Sequence, residues 1–175
     1  MMDKKLEKVM NEQLTKEFYS AYLYLSMAAY FESENLAGFS HWMKMQVQEE
    51  ILHAMKFFDF LNERSSSIVL EAIDKPLAKF SSVKDVFEKT LEHEKKVTAS
   101  INDLYALAQE VNDQATCVFL QWFINEQVEE EKNPADILGK LRYVSDQPAG
   151  ILILDKDLAT RQQPVLEPGT ERAGA

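Results

Sequence analysis

The sequence is poor in the residues that make turns, covalent staples and membrane spans. Its 175 residues include five glycines and five prolines. No proline precedes Pro76, and none lies between Pro76 and Pro134. Sandwiches and barrels need turn signals about every ten positions, so an all-β fold is excluded. The single cysteine, Cys117, provides neither an internal disulfide framework nor a four-cysteine zinc site. Apolar runs are short: residues 151–154 are among the longest, far below the roughly twenty needed to span a bilayer. No membrane partner is expected. The first residues, MMDKKLEKVMNEQL, contain no continuous apolar segment and no cleavage site, which predicts no signal peptide and a cytoplasmic protein. Positive charge is scarce too. Nineteen Lys and Arg face 29 Asp and Glu, a net charge of −10. That argues against nucleic acid as a partner and favours cations.

The remaining composition is that of an ordered globular chain, with 46% hydrophobic and 27% charged residues, enough for one domain with its own core. Its patterning is helical throughout. Over residues 3–31 the apolar positions Leu6, Met10, Leu14, Ala21, Tyr24, Ala28 and Phe31 recur at helical spacing. A second segment over 36–63 carries Phe39, Met43, Phe57, Phe60 and Leu61, with Asn35 as its expected N-cap. Residues 64–81 form a long connection, able to carry the chain from one end of a bundle to the other. Ser82 and Asp85 resemble a capping box for a third helix bearing Val86, Phe87, Leu91, Val97, Ile101, Leu104 and Ala108. After a break at Asn112 and Asp113 comes a fourth helix, with Phe119, Leu120, Phe123, Ile137 and Leu141. Pro134 falls inside it and predicts a kink, or a restart with Asn133 as cap. A short fifth helix should follow Pro148, and the tail from residue 163 should be mobile. Two hairpins joined by one long crossover make an all-α four-helix bundle, with helices about 45 Å long.

The informative residues interrupt these apolar stripes. Glu17 sits between Leu14 and Ala21, Glu50 and His53 between Met43 and Phe57, and Glu94 between Leu91 and Val97; Gln127 and Glu130 follow Phe123. Each helix thus directs at least one carboxylate along its buried face. A buried ionised carboxylate costs several kcal/mol, and four in one core also repel each other, so protons or cations must neutralise them. Two divalent metals carry four positive charges, matching Glu17, Glu50, Glu94 and Glu130, with His53 as a neutral nitrogen ligand. The spacing agrees: Glu17 precedes Glu50 by 33 positions, and Glu94 precedes Gln127 by 33. Each later position opens an i, i+3 pair, Glu50–His53 in one hairpin and Gln127–Glu130 in the other, and residues three apart share a helix face. The hairpins read as two copies of one ligand-bearing unit. Carboxylates with one imidazole suit iron or manganese. A plainer reading holds for any one glutamate or a lone Glu-x-x-His, which more often sits on the surface; the equal offsets of four set these apart.

With these residues in view, the chain resembles the ferritins, specifically the haem-free bacterial and archaeal type. The resemblance covers residues 3–162 and rests on the ligand positions and on the runs at 19–24 (YSAYLY), 48–54 (QEEILHA), 119–123 (FLQWF) and 126–131 (EQVEEE). It implies a ferritin-like domain over residues 1–162 that oxidises Fe(II) with O2 or peroxide. It also implies storage of Fe(III) mineral in a homo-oligomeric cage of two dozen subunits, a 24-mer. By position, Glu17, Glu50 and His53 resemble the ligands of the first, tighter iron, with Glu50 bridging. Glu94 and Glu130 resemble ligands of the second, and Gln127 a close neutral neighbour. Glu49, Glu126, Glu129 and Glu130 resemble a third iron site, although residues 129–131 also read as a solvated acidic run. Tyr24 would be a phenol beside the centre, bonded to a ligand, or simply a core tyrosine.

Departures from related families narrow the expectation. Ile51 follows Glu50, and the fourth helix carries no second Glu-x-x-His, so no haem is expected. Cys117 and Leu120 stand where animal ferritins place acids at their entry pores. A rubrerythrin-like peroxidase would need four cysteines. A different di-iron oxidase, a metal-free scaffold or storage without oxidation are the competing classes. The fifth helix either lines a four-fold pore or docks on its own bundle. Trp122 could lie near the site or simply pack. His41 and His93 are expected to be exposed and without partners, and Met27, Met43, Met45 and Met55 to fill the core.

Overall fold

The structure, a computed structural model, describes residues 2–144 and 147–163. The predicted mobile tail therefore lies, from residue 164 on, outside the described residues. Five helices follow one another: α1 (Lys4–Ser33), α2 (Ala37–Glu63), α3 (Val83–Glu110), α4 (Gln114–Val144) and α5 (Pro148–Leu158).

Local chemistry accounts for where the helices begin and end. Asp3 caps α1 by accepting from the backbone N–H groups of Lys5 and Leu6, and Ser82 caps α3 through the N–H of Asp85. The Asp85 carboxylate reaches back to the N–H of Ser81, 2.9 Å away. Helices α1, α2 and α3 all end the same way. Asn35, Ser65 and Asn112 adopt positive φ (58°, 51° and 55°). The next N–H then returns to a carbonyl in the last turn: Leu36 to Phe31, Ser66 to Leu61 and Asp113 to Ala108. These are Schellman closures, which satisfy carbonyls that the helix leaves open.

Two local expectations are corrected here. Asn35 ends α1 instead of capping α2, because an N-cap needs extended backbone and Asn35 is left-handed. The start of α2 is capped from elsewhere: Asp155 of α5 accepts from the N–H groups of Gly38 and Phe39 at 2.8 and 2.9 Å. Helix α4 runs through Pro134 with no restart at Asn133. Proline removes one backbone bond, but Glu130, Pro134, Ile137 and Leu141 all bury on one face of α4, and this packing holds the helix together.

Helices α1 and α2 pair as one hairpin and α3 and α4 as the other. The crossover, residues 64–82, runs alongside α1. Asn11 holds it near one end, donating to the Ser67 carbonyl and accepting from the Val69 N–H. Ser26 holds it further along through the Leu77 carbonyl. Arg64 grips Asp113 with both terminal nitrogens at 2.9 and 2.7 Å, tying the end of α2 to the turn before α4.

The apolar core is divided in two. One half gathers Leu6, Met10, Leu14, Phe57, Leu61, Ile101, Leu104 and Phe123. The other gathers Met27, Phe31, Phe39, Met43, Phe87, Leu141 and, from α5, Leu154 and Leu158. Helix α5 thus docks on its own bundle. Between the halves lies a buried polar band of Gln13, Glu17, Ser20, Gln46, Glu50, His53, Thr90, Glu94, Gln127 and Glu130. Of the four methionines expected as core filler, Met27, Met43 and Met45 are buried, whereas Met55 is 38% exposed. Met55 follows Ala54 on α2 and turns off the face that Ala54 and Phe57 bury.

Candidate metal centre

The polar band is built by helical periodicity acting on four helices at once. Glu17 lies one turn past Leu14 on α1, and Glu50 and His53 share a face of α2 with Phe57. Glu94 lies on α3, and Gln127 and Glu130 on α4. Glu17, Glu50, Glu94 and Glu130 are between 0 and 4% exposed. Bulk water therefore cannot stabilise their charges.

Three overlapping ligand groups result. Glu17, Glu50 and His53 each offer one atom, all within 4.8 Å of one another. Glu50, Glu94 and Glu130 do the same, as do His53, Glu126 and Glu130. Glu50 belongs to the first two groups, so one carboxylate is common to two candidate ligand sets. Its Oε2 lies 3.5 Å from His53 Nδ1, within the same helix turn.

Around these groups the hydrogen bonding is incomplete in a patterned way. Gln13 donates to Glu17 at 2.7 Å, and its own oxygen accepts from Ser100 at 2.6 Å. Gln46 donates across the bundle to Glu130 at 2.8 Å. The Tyr24 hydroxyl donates to Glu94. The Thr98 hydroxyl lies 3.0 Å from Gln127 Oε1 and 2.6 Å from Glu131 Oε1, two acceptors that share its single proton. Yet one oxygen each of Glu17, Glu50 and Glu94 remains buried without a partner, as does the Gln46 oxygen. Buried acceptors without donors are costly. Three carboxylate oxygens left open, on residues that belong to two ligand groups sharing Glu50, form a donor set suited to cations.

Electrostatics points the same way. Burial raises the carboxyls of Glu17, Glu50 and Glu130 to about 8. Glu94 is also pushed well above the ordinary range, first by burial and then by the charges of Glu130 and Glu17. Glu126 is raised by burial, opposed by His53. Without cations, carboxyls at about 8 are largely protonated at neutral pH, as for Glu17, Glu50 and Glu130.

The remaining sequence candidates are distributed less evenly. Glu49 turns to Arg161, 2.5 Å away, and Glu129 is exposed, so neither joins Glu126 and Glu130 in a ligand group. Trp122 is half-buried, its ring edge-on to His53 at 5.5 Å with the Lys56 ammonium 4.1 Å above it. His41 and His93 are neither exposed nor unpartnered. His93 bonds Ser20 at 2.8 Å, and burial lowers its pKa to about 4. His41 meets the Arg161 carbonyl at 2.8 Å.

Sequence reasoning passed over Gln13, Thr98 and Arg161 and gave Gln46 no role. One signal for the glutamines was present: Gln13–Glu17 and Gln46–Glu50 repeat the same i, i+4 spacing, again 33 positions apart. Arg161 left no such signal.

The arrangement agrees with proteins of known kind. Residues 7–144 match the model of the ferritin-like domain. A probable bacterial non-heme ferritin-like protein from Haemophilus influenzae is 39% identical over 158 residues, covering 90% of this chain and 96% of its own. The bacterial non-heme ferritin of Bacteroides fragilis is 39% identical over 161 residues, covering 92% and 100%. Among solved structures, an open-pore ferritin from the hyperthermophilic archaeon Archaeoglobus fulgidus superposes with a TM-score of 0.92 at 46% identity, covering 93% of this chain and 100% of that one. With its polar band, its helix order and these relatives, the chain belongs to the ferritin family.

Proposed function

We propose that this chain stores iron: it oxidises Fe(II) at the carboxylate–histidine centre and keeps the product as Fe(III) mineral inside a homo-oligomeric shell. One observation carries the reading. Four buried carboxylates and one imidazole divide the core, with three carboxylate oxygens left unpartnered. A purely structural bundle gains nothing from such a band, since apolar residues there would pack without the desolvation cost. Two Fe(II) ions supply four positive charges for the four carboxylates.

The roles follow from the ligand groups. Glu17, Glu50 and His53 bind the first Fe(II), and Glu50, Glu94 and Glu130 the second, with Glu50 shared. Gln127 is a neutral neighbour whose oxygen is engaged by Thr98. Tyr24 orients Glu94 and stands as a phenol beside the oxidised pair. The second position lacks a nitrogen ligand and holds its ion less tightly, which suits a centre that must pass its product on. Each Fe(II) gives up one electron. Dioxygen accepts two electrons and two protons to become hydrogen peroxide, or peroxide accepts two of each to become water. The protein's part is to hold both ions at one oxidant and to exclude bulk water.

The reading includes a 24-mer cage, a cytoplasmic location and a single domain over residues 1–162. Exposed apolar side chains support assembly: Tyr22 and Leu25 on α1, Leu70 and Leu77 on the crossover, and Leu152 and Ile153 on α5. Among the described residues no helix is long and apolar enough to cross a membrane.

The test is stopped-flow oxidation of anaerobically loaded Fe(II) by wild type, Glu50→Ala and His53→Ala, with size-exclusion and light scattering on each. Both variants should keep the fold and assembly while losing the fast phase. Wild-type kinetics in either variant would show that the centre lies elsewhere. Uptake that stops at about two irons per chain in wild type would point to a fixed di-iron cofactor instead of storage.

A further inference from the structure

Beyond α5 the chain does not leave the bundle at once. Asp155 fixes α5 across the start of α2 through Gly38 and Phe39, and Ala159, Thr160 and Arg161 close the helix end with backbone bonds to Asp155, Asp157 and Leu158. Arg161 then lies along α2. Its carbonyl meets His41 Nε2 at 2.8 Å. Its guanidinium sits 4.5 Å over the Trp42 ring and donates to the Trp42 carbonyl at 3.5 Å. The outer nitrogen reaches Glu49 Oε2 at 2.5 Å, and both side chains of the pair are largely covered. A planar guanidinium suits this combination of stacking and carboxylate binding.

The partner it selects is significant. Glu49 precedes Glu50 and lies close enough to Glu126 and Glu130 for its charge to act on both. Glu126 and Glu130 are the carboxylates that group with His53 in the third ligand set. Glu49 is absent from that group, and its Oε2 is paired with the guanidinium instead. A cation at this third position would share His53 and Glu130 with the two-ion centre, leaving Glu126 as its only unshared ligand in the group.

We infer that Arg161 is a built-in counter-cation that holds Glu49 away from the third position and so limits each chain to two tightly bound divalent ions. The inference rests on the proposed two-ion centre and adds a positioning residue outside it. Removing the guanidinium frees one carboxylate oxygen and takes one positive charge from beside an acidic cluster. Both changes favour a third cation there. The strap thereby sets how many ions the chain retains, and hence how readily oxidised iron passes the third position toward the mineral.

The test uses Zn(II), which binds without redox chemistry, titrated into the assembled, metal-free full chain and counted by equilibrium dialysis. Wild type should bind two tight Zn(II) per chain. R161Q should bind a third, with an affinity at that position raised by about tenfold or more, and the double variant E49Q/R161Q should lose it again. E49Q alone should still bind two, since Glu49 is not a ligand in the native chain. Circular dichroism and size-exclusion check that each variant is folded and assembled. A third tight ion in wild type, no gain in R161Q, or loss of an ion in E49Q would each overturn the inference. Glu50→Ala separates the two levels of the argument. If it loses a tight ion while R161Q gains none, the centre stands and the role of Arg161 falls. If it binds as wild type does, the centre falls and the inference with it.

Discussion

Metal binding to the centre should expel protons in a number that the structure specifies. In the metal-free chain Glu17, Glu50 and Glu130 titrate at about 8, and Glu94 is displaced in the same direction. At pH 7 a carboxyl with a pKa of about 8 is about 90% protonated, whereas one at 4.5 is about 0.3% protonated. Four such groups hold at most about four protons per chain. The groups interact, however: once one is neutral it no longer repels its neighbours, and their pKa values relax downward. About two protons is therefore the floor. Ligands bind metals only when deprotonated, so loading two Zn(II) per chain at pH 7 should release about two to four protons. The count is read by calorimetric titration in buffers of different ionisation enthalpy, where the heat varies in proportion to the protons transferred. Apparent affinity for the ion pair should fall about tenfold per displaced proton for each pH unit below 8. Glu17→Gln, which mimics the neutral acid, should lower the count by about one. Release of less than one proton per chain at pH 7 would mean that the carboxylates are ionised before metal arrives. Desolvation would then not set their protonation.

Metal-free protein should lose stability as pH rises from 6.5 to 8. The buried carboxyls have folded pKa values raised from 4.5 to about 8, so the folded chain binds more protons between those values, and the stability they confer is lost as pH climbs toward 8, by about 1.5–2 kcal/mol per group between pH 6.5 and 8 before coupling. His93, lowered to about 4 by burial, acts oppositely but only below its unfolded value near 6.5, so a melting temperature that is flat or rises between pH 6.5 and 8 would contradict the reasoning. Gly38→Ala should detach α5: an added Cβ would lie 1.7 Å from the Asp155 carbonyl oxygen, and a loss of about 2 kcal/mol or more is expected in denaturant unfolding. Asp155→Ala should cost about 0.5–2 kcal/mol as a lost cap, and equal stability in urea would show that the start of α2 finds other partners.

What the sequence alone determined about this protein was whatever repeats within a helix. A turn every 3.6 residues makes Leu6, Met10 and Leu14 a stripe, puts Glu50 and His53 on one face, and lets the 33-residue offsets announce two related hairpins. The sparse prolines and glycines closed off all-β folds, and the lone cysteine closed off disulfide and four-cysteine zinc frameworks. Boundaries were less legible. Asn35 has the side chain of an N-cap, but its left-handed backbone makes it a helix terminator, and Pro134 looked like a break until the packing around it was known.

The tertiary structure decided which of these faces meet, at what register, and what else reaches them. Gln46 donates to Glu130 across 84 positions, Tyr24 to Glu94 across 70, Arg161 to Glu49 across 112, and Asp155 caps α2 across 117. None of these partners is related to the other by helical spacing. Each depends on how the helices cross, on the rotamers the packing permits, and on where the strap after α5 comes to rest. The sequence could state that four carboxylates face inward. Only the packed bundle determines that Glu50 is shared by two candidate ligand groups while Glu49, its neighbour in the chain, is paired with an arginine. Successive residues on a helix point about 100° apart, so they meet different neighbours.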